Sequence, residues 1–158
     1  MKNKFPRLFT LGCLLLCLST RAAPLAVGEA VPAMAANDQH GAAFQFTNGI
    51  RFLLVVTEMS ASKVANQKLA AAGAGFLELH HAAYLMDIHT MPAIARVFAL
   101  PKLRKYPHRI VLMDSADALT AFPAQPERVT VLALTPAGRV EKISYWNPVS
   151  EPVAGFLE

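Results

Sequence analysis

Two apolar runs set the architecture of this chain. Residues 50–56 (Ile, Arg, Phe, Leu, Leu, Val, Val) and 83–88 (Ala, Tyr, Leu, Met, Asp, Ile) are each nearly continuous in apolar character. A strand with one wet face alternates polar and apolar residues, whereas a strand covered on both faces does not. Between the two runs lies an alanine-rich stretch with apolar residues at Ala61, Val64, Ala65, Leu69, Ala72, Phe76 and Leu79, which is helical spacing. Strand, helix and strand in this order make a β-α-β unit, with parallel strands and the helix packed on the sheet.

The remaining segments extend that unit. Ser60 is a residue type that caps helices, because its hydroxyl can accept an orphan amide. Gly73 and Gly75 each weaken a helix by roughly 1 kcal/mol relative to alanine, so the first helix is expected to break there and resume toward His80. Pro92 suits the first turn of a second helix, with Ala93, Ile94, Val97 and Phe98 as its apolar face. Pro101 is expected to kink or restart that helix. Residues 109–113 read as a third strand and 129–134 as a fourth. Thr135-Pro136-Ala137-Gly138 is a hairpin turn into a fifth strand at 140–145. Upstream, residues 24–32 read as an extended arm, and 33–36 with 43–46 as a short hairpin around 37–41. Residues 152–157 make a short closing helix. The Tyr145-Trp146-Asn147-Pro148 run reads as a packed edge of the core.

The N-terminus has a different character. Lys2, Lys4 and Arg7 precede an apolar run from residue 8 to 18, followed by Ser19, Thr20, Arg21, Ala22 and Ala23. Basic, apolar, then small is the order of a secretory signal. The reading is a signal peptide at 1–22, cleaved ahead of Ala23, and one domain at 23–158 delivered to the periplasm. Lipid anchoring through Cys13 or Cys17 fits less well, because Cys17 follows three leucines and Cys13 has almost no apolar run before it. The chain has two cysteines, and both fall in this leader. A domain from residue 23 onward therefore has no disulfide, no thiol nucleophile and no thiolate metal site. Removing Lys2, Lys4, Arg7 and Arg21 from the 15 basic residues leaves 11, equal to the 11 acidic ones. A formally neutral domain lacks the basic surface that nucleic acid requires. Lys102, Arg104, Lys105, His108 and Arg109 form one local basic cluster, read as a solvated face.

Three segments carry a resemblance. Val27-Gly28-Glu29-Ala30-Val31-Pro32, the strand at 52–57, and the hairpin at 131–140 with Thr135-Pro136-Ala137-Gly138-Arg139-Val140 stand in an order similar to exported members of the thioredoxin-like superfamily, of the peroxiredoxin and thiol-disulfide reductase type. The resemblance implies an α/β fold of three layers, α/β/α, with a mixed central sheet, here preceded by an N-terminal hairpin. It also implies a functional rim just after the first core strand, where helix N-terminal amides lower a thiol pKa. In this sequence that stretch reads Met59-Ser60-Ala61-Ser62-Lys63, with Ser60 and Lys63 nearest the two cysteine positions. The proline that the family carries before the hairpin strand is also missing, Pro126 lying three residues ahead of Val129.

The expectation is a binding module without thiol redox activity, with no cofactor, no nucleic-acid partner and no stable membrane anchor after cleavage. Its partner is a protein or a small-molecule ligand. The candidate binding rim is Glu58, Met59, Ser60 and Lys63 with Met91, Pro92, Glu127 and Arg128. Two alternatives stand beside it. His80, His81, Asp87 and His89 offer imidazole and carboxylate ligands for copper or zinc. An oxidoreductase or hydrolase of unrecognised type would centre on Ser60 or on the basic cluster, although no G-x-S-x-G surrounds Ser60 and no glycine-rich phosphate loop is present.

Overall fold

The computed structural model describes residues 23–46, 49–115 and 119–157. The expected leader, residues 1–22, lies outside the described residues. The run at 50–56 becomes strand β3, Phe52–Val56, in which the four residues from Leu53 to Val56 are almost wholly buried. It is followed by helix α1, Met59–Ala72, then a single turn α2, Phe76–Leu79, and strand β4, Ala82–Asp87. β3 and β4 pair in parallel from Phe52↔Ala82 to Val56↔Met86, as a β-α-β unit requires. The break between α1 and α2 falls at Gly73, whose φ of +108° is open to glycine and strained for other residues.

Helix α3, Ala93–Leu103, leads to strand β5, Val111–Met113, parallel to β4. Strands β6, Val129–Leu134, and β7, Val140–Trp146, form the late hairpin, with β6 antiparallel to β3. The N-terminal hairpin is β1, Ala35–Asp38, with β2, Ala43–Gln45. The sheet order is β2-β1-β5-β4-β3-β6-β7, seven strands of mixed direction. A 3-10 turn at Val153–Phe156 closes the chain. Among the described residues, no helix is long and apolar enough to cross a membrane.

Two cores follow from the alternation within β3. Leu54 and Val56 face α1, with Ala61, Ala65 and Leu69, and also Tyr84, Met86, Trp146 and Phe156. Leu53 and Val55 face the other way, toward Leu25, Val31, Met34, Phe44, Leu119 and Phe122. Helices α1 to α3 therefore cover one face. The opposite layer is thin, built from the N-terminal arm and residues 119–122, of which 119 and 120 are helical.

Three local expectations are corrected. Helix α3 shows its most apolar stripe to solvent: Ile94, Val97 and Phe98 are 73%, 67% and 67% exposed. Ala95, Ala99, Leu100 and Leu103 pack inward instead. Both stripes are apolar, so periodicity could not choose between them. Arg96 fixes the rotation: its guanidinium donates to the carbonyls of Met91 and Ile88 and to Asp114 Oδ2 at 2.6 Å. Pro101 does not restart α3: it lies inside one helix that runs on to Leu103. The carbonyl that Pro101 cannot serve belongs to Val97, on the exposed side of the helix.

The third correction concerns the basic cluster. Arg104 Nε donates to the Gln39 carbonyl, and Arg109 Nε donates to Asp38 Oδ2 at 3.0 Å while its guanidinium lies over the Phe44 ring. His108 is 1% exposed. Arg104 and Arg109 stay exposed, with Lys102 and Lys105, while tying the N-terminal hairpin to the start of β5; His108 alone departs from the solvated-face reading. Gln39 completes the joint. Its side-chain amide donates to the His108 carbonyl and accepts from the Ile110 amide, both at 2.8 Å.

Candidate functional site

The chain leaves β3 at Thr57, leaves β4 at Ile88 and enters β6 at Val129. Because β6 is antiparallel to β3, all three loops meet at one end of the sheet, where open α/β sheets place their ligands. Helix α1 starts in that cluster.

Its first turn differs from the expectation. Glu58, in extended conformation, is the capping residue, and its carbonyl accepts the Ser62 amide at 2.9 Å. Ser60 lies within the first turn, exposed, and makes no side-chain cap bond. The Glu58 carboxylate instead accepts the amide of Glu127 at 2.9 Å. Glu127 holds a left-handed φ of +58°, which costs roughly 1–2 kcal/mol for a residue with a Cβ. The Glu58 carboxylate thus anchors a strained turn. Arg128 turns away, donating to the Tyr145 carbonyl and lying 3.7 Å from Glu151 Oε1.

The expected rim therefore splits at the start of α1. Glu58 and Glu127 join on the β6 side. Met59, Ser60, Lys63, Met91 and Pro92 converge on the β4 side, where they line a groove of about 790 Å³ between α1 and α3. Ala95, Phe98, Ala99, Lys102 and Leu103 form its α3 wall, Met86 of β4 lies on its floor, and Tyr106, just beyond α3, also lines it. The three methionines supply flexible apolar surface that adapts to varied occupants.

Under the apolar lining is a buried polar chain that the sequence reading missed. Ser62 and Asn66 sit one turn apart on the buried side of α1. Ser62 Oγ donates to Met86 Sδ at 3.4 Å, and Asn66 Nδ2 donates to the Ser62 carbonyl at 2.9 Å. That bond orients the amide, so Asn66 Oδ1 faces His108 Nε2 at 2.9 Å. An amide oxygen can only accept, so His108 carries a proton on Nε2. Burial pulls the His108 pKa down to about 4. Its Nδ1 and the Tyr84 hydroxyl are buried with no hydrogen-bond partner among the described residues. Burial raises the Tyr84 pKa, and neighbouring Ser62 pulls against that shift. The signal that could have revealed this chain is the polar i, i+4 pair Ser62 and Asn66, one position on from Ala61 and Ala65 in an otherwise alanine-rich helix.

The metal alternative does not assemble. His80 follows α2 with its ring against Phe76, and His81 turns left-handed before β4. Asp87 ends β4 at the far end of the strand, about 20 Å away at ordinary strand rise. Its carboxylate accepts the His89 amide at 2.6 Å. Among the described residues, no three His, Cys, Asp or Glu side chains are placed to hold a metal ion. Ser60 also has no hydrogen-bonded base among the described residues.

Comparison with solved structures gives the fold. The chain superposes on the thioredoxin domain of a thiol-disulfide oxidoreductase from Bacteroides vulgatus with a TM-score of 0.54 and 14% identity, covering 85% of this chain and 99% of that one. A peroxiredoxin-like protein from Aquifex aeolicus gives 0.54 and 10% identity over 84% and 82%. A thio-disulfide isomerase from Thermus thermophilus gives 0.50 and 14% over 77% and 87%. No family model and no curated protein matches the sequence. The fold is thioredoxin-like, of the α/β class, with its mixed sheet extended to seven strands.

Proposed function

We propose that this chain is a periplasmic, thioredoxin-like binding module that performs no thiol redox chemistry and receives an apolar segment of a protein partner in the groove between α1 and α3. One observation carries the reading. Where a redox pair would stand, the first turn of α1 reads Met59-Ser60-Ala61-Ser62, and beside it lies a groove of about 790 Å³ lined by Met59, Met86, Met91 and Phe98. A serine hydroxyl cannot take part in disulfide exchange. A mostly apolar cleft with a few placed polar groups is the form that binding sites take.

The test is bis-ANS fluorescence on the purified domain beside an insulin-reduction assay with dithiothreitol. Phe98→Asp is the control, since Phe98 is exposed and the substitution spares the core. The reading expects no acceleration of insulin reduction, and a loss of dye affinity of about fivefold in the variant, as expected from removing part of a phenyl surface. Catalysed reduction, or unchanged dye binding, would overturn it.

A further inference from the structure

The charges around the groove narrow the occupant. Neither of the helices that form it contains an acidic residue: α1 carries Lys63 and Lys68, and α3 carries Arg96 and Lys102. Two of these four cations are engaged. Lys68 donates to the Glu151 carbonyl at 2.7 Å, and Arg96 pairs with Asp114. Lys63 and Lys102 both line the groove, one on each wall, and neither has an acidic partner among the described residues. One carboxylate also borders the groove, that of Asp87, and it is bonded to the His89 amide.

Shape narrows it further. The apolar surface does not stop at the groove, because Ile94 and Val97 continue from Phe98 over the outer side of α3. A small molecule held in the groove would leave that stripe uncovered. A second copy of the chain would offer Lys63 and Lys102 two helices with no acidic residue, leaving both cations without a counter-charge at the interface. An extended peptide would find no strand edge, because Met86 on the floor belongs to β4, which is paired on both sides by β3 and β5. A helix satisfies its own backbone and needs only an apolar face to dock.

Building on the groove reading above, we propose that the occupant is an amphipathic helix of a partner protein with acidic residues flanking its apolar face. The apolar face covers the methionines and the outer stripe of α3. The acidic residues reach Lys63 on one wall and Lys102 on the other.

The test uses three labelled peptides of about 18 residues, long enough for several helical turns. They share a leucine face and carry glutamate, glutamine or lysine at the flanking positions, all good helix formers. Fluorescence anisotropy is read on the wild-type domain and on the double variant Lys63→Glu, Lys102→Glu, whose sites are exposed. The expected order on the wild type is glutamate, glutamine, lysine, with about tenfold between the ends, the scale of two rim ion pairs with their repulsive counterparts. The order should reverse on the double variant and collapse at about 0.5 M salt, where exposed pairs are screened. If glutamine binds as tightly as glutamate, the acidic partner is wrong and the groove reading stands. If none of the three peptides binds, the groove reading is lost with it.

Discussion

His108 gives the sharpest prediction. Its imidazole is 1% exposed, neutral in the folded chain, with a pKa pulled to about 4 by burial. In the unfolded chain it returns to roughly 6.5. The unfolded state therefore binds a proton that the folded state refuses, so stability is full above the unfolded pKa and is lost as pH falls toward the folded one. The full shift corresponds to about 3 kcal/mol, and solvent reaching the groove above Asn66 screens part of it, which leaves about 2 kcal/mol. The assay is urea unfolding followed by Trp146 fluorescence at pH 7.5, 5.5 and 4.5. Carboxylates titrate in the same window, so the measured quantity is the difference between wild type and His108→Gln. Glutamine keeps a donor for Asn66 Oδ1 and cannot titrate. The wild type should lose about 2 kcal/mol more than the variant between pH 7.5 and 4.5. Parallel loss in the two proteins would refute the argument, because it would mean that His108 is protonated in the fold.

Other outcomes test the rim and the hairpin. Glu127→Gly should raise stability by about 1 kcal/mol in urea unfolding, since glycine relieves the left-handed strain and keeps the amide that Glu58 accepts. Glu58→Ala should cost about 1 kcal/mol in the same assay by removing that acceptor. Asp38→Asn should lower stability by about 1–2 kcal/mol at neutral pH. Burial alone would raise the Asp38 carboxyl, but the amides of Ala42 and His40 and the Arg109 guanidinium outweigh it and hold the pKa below the usual carboxylate range. The contribution of Asp38 is thus present above its unfolded pKa, near 4, and is lost as pH falls through the lower folded value, so the wild-type and variant curves should converge at the acid end. Leu54→Ala, in the central strand, should cost about 3 kcal/mol, read as a fall in the urea midpoint.

Much of the sheet was legible because its signals are local. Strand β6 runs Val129–Leu134 as read, and β3 and β4 differ from the reading by a residue or two at their ends. The start of α1 was misplaced because capping preference favours serine, while Glu58 caps through its backbone and sends its carboxylate 69 residues along the chain. Rotation of α3 was illegible because two apolar stripes compete. Arg96 decides between them through partners as distant as Asp114. His108 was misread because its sequence neighbours are charged, and only the fold reveals Asn66 beside it. The candidate rim was half legible. Met59, Lys63, Met91 and Pro92 converge as expected, but the α3 wall and the buried Ser62-Asn66-His108 chain depend on contacts that no local pattern encodes.

The Gln39 side chain has a consequence for how the molecule opens. Backbone pairing between β1 and β5 runs through the register pairs Asn37↔Leu112 and Asp38↔Val111 and ends with the Gln39 amide donating to the Ile110 carbonyl at 3.0 Å. At that last rung an amide side chain works beside the backbone, receiving the Ile110 amide and serving the His108 carbonyl. The hairpin is thus held to the sheet by a short ladder, one side-chain rung and the Arg104 and Arg109 bonds, not by an extended strand pair. The hairpin and the start of β5 are therefore expected to open together, at a lower free energy than the central β3–β4–β6 block. In native-state hydrogen exchange the Ile110 amide would report on that unit, exchanging through a sub-global opening while the amides of Leu54 and Val131 wait for the whole fold to come apart.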